Sequence, residues 1–262
     1  MTDLSGKTAL ITGSTSGIGL GIARAMAASG ANVVLNGLGD AAEIEKLRAG
    51  MEGEYGVRVL YHDADMSKPA QIKDMCDKAI ALFGCVDILV NNAGIQFVSP
   101  IDEFPEAKWD AIIAINMNSN FHTMKHCLPA MKKKGWGRVV NIASAHGLVA
   151  SPFKSAYIAA KHGVVGMTKS VALEVATNNI TVNAICPGYV LTPLVEGQIK
   201  DQAKVHGIPE SEVIDKIMLT PQPTKKFVQI DEVARLTVFL CEDAAQGITG
   251  THLSIDGGWT AR

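Results

Sequence analysis

KTALITGSTSGIG, residues 7–19, sets a short apolar run against a turn carrying Gly13, Gly17 and Gly19. The run is strand-like, and the segment that follows, 17–29, repeats apolar residues at helical spacing. A strand, a tight glycine turn and a helix in that order make a first βα crossing. Glycines there let a ligand approach the backbone, and the helix start offers free N–H groups and a positive dipole end to a pyrophosphate. The alternative is an ordinary structural turn. The position at the first crossing favours dinucleotide binding.

Outward from that crossing the alternation continues. KTALIT (7–12), ANVVLN (31–36), VRVLY (57–61), VDILVN (86–91), GRVVNIA (137–143), ITVNAI (180–185) and THLSI (251–255) read as buried strands. Between them, 17–29, 68–83, 105–133, 155–177 and 230–241 are long and periodic enough for helices. Such alternation implies a parallel sheet with helices on both faces. No linker, repeat or low-complexity tract divides the 262 residues, so one α/β domain spanning 1–262 is expected. The polar stretch 192–229, with its prolines, fits the alternation poorly. It is expected to be an insertion over the carboxyl edge of the sheet, a substrate lid.

Composition excludes other classes. A net charge of −2 and a pI near 6.4 give no electrostatic case for nucleic acid or a membrane surface. No apolar run approaches the ~20 residues of a spanning helix, and MTDLSGKTALITG does not read as a secretion signal. Cys76, Cys85, Cys127, Cys186 and Cys241 are scattered and odd in number, which suits reduced thiols and a cytoplasmic setting.

The choice between NAD and NADP falls at the end of the second strand, where an acidic residue would hold the ribose 2′-hydroxyl. The residues there are Asn36-Gly37-Leu38-Gly39-Asp40. The usual carboxylate is absent or displaced, and no Arg or Lys lies between Gly30 and Lys46 to pair with a 2′-phosphate, so NAD is expected. NNAG (91–94) follows the fourth strand. Its Ala93 and Gly94 are small enough for a cofactor to lie against the backbone, though a plain turn would look the same. Asp65 is either an acceptor for the adenine amino group or a helix cap ahead of Pro69.

SAHGLVASPFKSAYIAAK, 144–161, gathers five proton-handling side chains. Tyr157 and Lys161 are four apart in a helical pattern and project from one face. A free tyrosine has a pKa of about 10, too high for a base at neutral pH. A neighbouring ammonium, and the cation of an oxidised nicotinamide, favour the phenolate. Ser144, at the preceding strand's end, is placed to bond the same substrate oxygen.

With TGSTSGIG, NNAG, Asn116, Ser144, YIAAK and Pro187-Gly188 in this order, the whole chain resembles the short-chain dehydrogenases/reductases. The resemblance implies a seven-stranded, Rossmann-like, doubly wound sheet and hydride transfer to or from a nicotinamide. It implies Tyr157 as acid/base and Lys161 as the group that lowers its pKa and holds the nicotinamide ribose. Ser144 would orient the substrate oxygen, and Asn116 would anchor a water linking Lys161 to solvent. Gly13, Thr15, Ser16, Gly17, Ile18, Gly19, Asp65, Asn91, Ala93 and Gly94 would hold the cofactor. Pro187, Gly188, Val190 and Thr192 would pack on its nicotinamide end. The family also implies a tetramer, with helices 105–133 and 155–177 pairing between subunits and the carboxyl-terminal segment at another contact. The chain departs from many NAD-using members at Gly37, where they carry Asp.

The substrate is read from Gln96, His146, Lys154, Gln198 and Trp259. Donors and a cation around one pocket suit a small carboxylate, whereas a steroid or long acyl chain would want an apolar groove. The competing reading makes Lys154 a solvated surface residue and His146 a satisfied loop histidine. Taken together, the set resembles family members that act on a 3-hydroxy acid. A 3-oxoacyl thioester reductase or polyol dehydrogenase is the alternative on the same scaffold, and a non-catalytic NAD(H) sensor the alternative outside it. His122 and His126 have the i, i+4 spacing of a zinc pair, but Thr123 stands where a catalytic Glu would be needed, so no metal is expected.

Overall fold

The computed structural model describes residues 3–261. Seven parallel strands lie in the order β3-β2-β1-β4-β5-β6-β7: β1 Thr8–Ile11, β2 Asn32–Asn36, β3 Val59–His62, β4 Ile88–Asn91, β5 Gly137–Ile142, β6 Ile180–Pro187 and β7 His252–Ile255. Leu10 pairs with Val34 on one side and Leu89 on the other, so the strand order reverses at β1. The connections leaving β1 and β4 therefore diverge, and a crevice opens at their carboxyl ends.

Successive strand residues face opposite sides of the sheet. Ala9, Ile11, Val33, Leu35, Ile88 and Val90 pack on one face with Ile22, Ala23 and Met26 of α1 (Gly17–Ala28) and Val233, Ala234 and Val238 of the last long helix. Leu10, Val34, Leu89, Val139 and Val182 pack on the other. There they meet α3 (Pro69–Phe83), α5 (Ser119–Lys134) and α6 (Ser155–Val175). Both faces are covered, which is why the central strands read as unbroken apolar runs.

Two features differ from the expected pattern. α2, Ala41–Tyr55, had no place among the expected helices. Only Ile44 and Met51 of it are buried, so its apolar periodicity is faint, and Asp40 starts it by accepting from the N–H groups of Ala42 and Glu43. The helix expected over 105–133 is α4, Glu106–Ile113, joined to α5 by a π turn at Ala114–Asn118. The segment 192–229 forms α7 (Pro193–Glu196), α8 (Ile199–His206), α9 (Glu210–Val213) and a second π turn, Ile214–Met218. Ala203, Val213 and Met218 pack with Tyr189, Ala145 and Trp259 in a cluster of their own. α10, Ile230–Phe239, then returns the chain to the sheet, and no helix among the described residues is long and apolar enough to cross a membrane.

Candidate active site

At the first crossing Gly13 and Gly17 adopt left-handed backbone (φ +62° and +55°), which glycine enters without steric cost. Gly19 serves another need: a Cβ there would lie 2.2 Å from the Gly13 carbonyl oxygen, so helix and turn approach too closely for a side chain. The Ser16 side chain does not cap α1, which leaves the helix's first N–H groups facing the crevice. Thr12 Oγ1 accepts from the N–H groups of Asn92 and Ala93, while the Asn92 amide donates to the Thr12 and Gly13 carbonyls. The turn is thereby braced against the end of β4.

A cleft of about 330 Å³ runs from this turn along the sheet's carboxyl edge. Gly13, Thr15, Ser16, Gly17, Ile18, Asp65, Ala93, Gly94, Pro187, Gly188, Val190 and Thr192 line it, and Ser144, Tyr157 and Lys161 close its far end. Free helix-start N–H groups, a backbone with no side chains in the way and one continuous trench fit a dinucleotide. Gly19 and Asn91 stand outside the lining. Gly19 faces the turn behind it, and Asn91 points into the sheet, where it donates to Asn141 Oδ1 at 2.8 Å and accepts from Thr123. The neighbouring Asn92 faces the cleft instead. Asp65 accepts from the N–H and hydroxyl of Ser67, and these bonds hold its carboxyl below the ordinary range while it lines the cleft. α3 starts beyond it, with Lys68 at the cap position.

Ser144, Tyr157 and Lys161 converge from two elements. Ser144 stands just past β5, with its hydroxyl accepting from the His146 N–H at 3.1 Å, and α6 carries the other two. Lys161 Nζ lies 5.5 Å from the Tyr157 ring centre and donates to the Ile142 carbonyl at 2.7 Å. Burial pushes the Tyr157 phenol up to about 12, against a smaller opposing pull from a hydrogen bond with Ser144. The same burial brings Lys161 down to about 8. The expected lowering of the Tyr157 pKa by Lys161 does not offset the burial of the phenol. The ammonium is itself desolvated and committed to a carbonyl, so burial of the phenol dominates. Asn116 sits in the π turn, where its side chain accepts from the Ile95 N–H and donates to the Ile95 carbonyl, both at 2.9 Å. An extra residue in the helix turns this amide toward the loop after NNAG, as π turns at functional sites commonly do.

Beyond Tyr157, Gln96, His146, Lys154, Gln198 and Trp259 surround a smaller cavity of about 60 Å³. Lys154 is 3% exposed. Its Nζ donates to the Tyr189 hydroxyl at 2.8 Å and to Gln198 Oε1 at 3.3 Å, and no carboxylate pairs with it among the described residues. Burial lowers its pKa to about 7. His146 bonds Ser151 through Nε2, and burial, aided by the Lys154 charge, holds it near 3, so the imidazole is neutral. Gln96 Oε1 is buried with no hydrogen-bond partner among the described residues. Lys154 is therefore not the solvated surface residue of the competing reading, whereas His146 is satisfied by Ser151 while also lining the cavity.

Tyr189 is a lining residue that the sequence reading missed. It stacks on Trp259 with ring centres 5.6 Å apart, and His146 meets both rings edge-on. Its position after Pro187-Gly188 gave a weak signal, but nothing local marked its pairing with Lys154. His122 and His126 lie on α5, and among the described residues no group of three or more His, Cys, Asp or Glu is placed to hold a metal ion.

The profile of a family described as enoyl-(acyl carrier protein) reductase matches residues 13–260. The D-beta-hydroxybutyrate dehydrogenase of Rhizobium meliloti is 61% identical over 256 residues, covering 98% of this chain and 99% of that protein. The protein of the same name from Cupriavidus necator is 56% identical, covering 99% and 100%. A 3-oxoacyl-[acyl-carrier-protein] reductase from Staphylococcus aureus is 33% identical, covering 96% and 97%. Among solved structures, an actinorhodin polyketide ketoreductase with NADPH superposes with a TM-score of 0.92 at 33% identity, covering 100% of both chains.

Proposed function

Because this chain belongs to the short-chain dehydrogenase/reductase family, we propose that it is an NAD-dependent oxidoreductase interconverting (R)-3-hydroxybutyrate and acetoacetate. The observation that carries the substrate is Lys154, a buried cation beside Tyr157 with neutral acceptors only. A buried cation without a counter-charge is costly, and a substrate carboxylate supplies one. The small cavity walled by Tyr189 and Trp259 favours a short acid over a long acyl thioester. The resemblance to D-beta-hydroxybutyrate dehydrogenases at 61% and 56% identity supports the same choice over the broader reductase description.

NAD, when bound, supplies the hydride acceptor and a positive ring that favours the Tyr157 phenolate. Gly13, Thr15, Ser16, Gly17, Ile18, Asp65, Ala93, Gly94, Pro187, Gly188, Val190, Thr192 and Lys161 hold it. Ser144 holds the hydroxyl oxygen of the substrate, and Tyr157 takes that proton in oxidation and returns it in reduction. Asn116 connects Lys161 to solvent through a water. Gln96, His146, Lys154, Gln198 and Trp259 hold the carboxylate end, and Lys154 is its charge partner. In the cell this reading makes the protein a cytoplasmic homotetramer.

The test is NADH formation from each enantiomer of 3-hydroxybutyrate, beside a 3-oxoacyl thioester and sugar alcohols. Turnover of the (R) acid alone is expected, and Tyr157→Phe should lower it at least about a thousandfold while NADH still binds. Preference for the thioester or a polyol overturns the substrate. NADH binding without turnover of any of them makes the protein a sensor.

A further inference from the structure

The turn ahead of α6 puts a large side chain in a conformation that glycine normally fills. Pro152 and Phe153 form that turn, and Phe153 has φ +67°, one of three non-glycine residues with positive φ among the described residues. A proline followed by positive φ is the pattern of a turn whose second position asks for glycine. Strain of this kind persists only where the surroundings hold it in place. Here the Phe153 carbonyl accepts from the N–H of Ser99, on the loop that carries Gln96, at 3.0 Å. The Phe153 ring meets His206 edge-on, with ring centres 5.4 Å apart and planes at 79°. Lys154 follows directly, and its Nζ enters the substrate cavity.

His206 is the last residue of α8, and Gln198 stands at the cap that begins it. The helix therefore touches the Phe153-Lys154 pair at both of its ends. At the start Gln198 Oε1 accepts from Lys154 Nζ at 3.3 Å, and at the finish His206 takes the Phe153 ring. Eight residues of helix span about 12 Å, so these are two separate points of attachment, which fix the direction of α8 as well as its distance. Neither Phe153 nor His206 lines the cavity, so neither is placed to touch what the cavity holds. Edge-on aromatic pairs attract beyond the area they bury, which gives the ring at 153 a use that a glycine would not have.

We propose that Phe153 and His206 are positioning residues whose ring contact latches α8 over Lys154 and so sets how tightly the cavity holds a carboxylate. A glycine at 153 would make the same turn with less strain, but it would leave α8 without its second attachment. Gln198 and Lys154 would then no longer be held in one geometry for the substrate's charged end. The inference rests on the Lys154 cavity being a carboxylate site.

Calorimetric titration of the chain with butyrate in the presence of NAD reads the latch without turnover, because this short acid has no hydroxyl to oxidise. Thermal unfolding verifies that each variant is folded. Phe153→Gly and His206→Ala should each raise the Kd about five- to tenfold, and the two together should do no more than either alone. Phe153→Tyr keeps the ring contact and should stay within about twofold of the parent. Trypsin should cut after Lys200 and Lys204, both exposed on α8, at least about threefold faster in the two single variants. Additive effects, or single variants that match the parent in either butyrate affinity or cleavage, would overturn the proposal. A parent chain that binds butyrate no better than Lys154→Met does removes the carboxylate site itself, and the latch's role with it.

Discussion

At the scale of single residues, burial governs the titrating groups around Tyr157 more than their charged neighbours do. Tyr157 is raised, and Lys161, Lys154 and His146 are lowered, with desolvation the largest cause in each case. For Lys154 this has a readable consequence. Above its lowered pKa of about 7 the amine is largely neutral, yet an arriving carboxylate favours the ammonium. Binding of a small carboxylate at pH 8 should therefore take up a proton, and affinity should fall as pH rises through that value. Calorimetry in buffers of different ionisation heat should show the uptake, and Lys154→Met should abolish it. Buffer-independent heats in the parent chain would mean that Lys154 is not the carboxylate's partner. Tyr189 belongs to this scale too, since its hydroxyl is the nearer of the two acceptors holding Lys154 in the pocket.

At the scale of elements, the site depends on how closely helix starts can approach strand ends. α1 reaches the turn only because Gly19 has no side chain: a Cβ would meet the Gly13 oxygen at 2.2 Å and the Asn92 amide nitrogen at 2.5 Å. The first contact is to rigid backbone, so the helix itself would have to shift. Gly19→Ala should cost about 1–3 kcal/mol of stability, by the overpacking scale, and abolish NADH binding. Denaturant unfolding and NADH titration check the two effects, and retention of both would show that the turn can relax. α6 has the converse role. Tyr157 and Lys161 lie a turn apart on it, and Lys161 ties it to the end of β5 through the Ile142 carbonyl. Deeper along the same helix, Thr168 accepts from Asn141, which accepts from Asn91, which accepts from Thr123 of α5. This buried chain holds α5, β4, β5 and α6 in one register beneath the site.

At the scale of the molecule, both faces of the sheet are sealed by helices, yet α3, α5, α6 and α10 each leave a large apolar side chain exposed, Leu173 most of all. Leu173 of α6 is 82% exposed and Phe121 of α5 is 49% exposed. The expectation of a tetramer paired through these helices makes both side chains part of a subunit contact, which substitution can test. Replacing both by Glu should lower the mass measured by light scattering to that of a dimer or monomer while leaving the thermal transition cooperative. An unchanged mass would place the subunit contact elsewhere. Segments α7 to α9 cluster with Tyr189, Ala145 and Trp259, so the cavity around Lys154 is assembled from stretches far apart in sequence.

The central strands and the first βα turn were legible in the sequence because strands buried on both faces are continuous apolar runs and because a turn this tight demands glycine. Tyr157 and Lys161 were legible because helical spacing fixes them on one face. α2 was not, since a helix burying only two side chains leaves almost no period to detect. Which of Asn91 and Asn92 faces the cleft was decided by the pleat at the end of β4, and the burial of Lys154 by Tyr189 and Gln198, 35 and 44 residues away. The contact between Phe153 and His206 likewise exists only once α8 lies beside the turn ahead of α6. Periodicity and turn chemistry are local properties that a sequence carries in full. Desolvation and close approach depend on which distant segments arrive at the same place, and only the folded chain settles that.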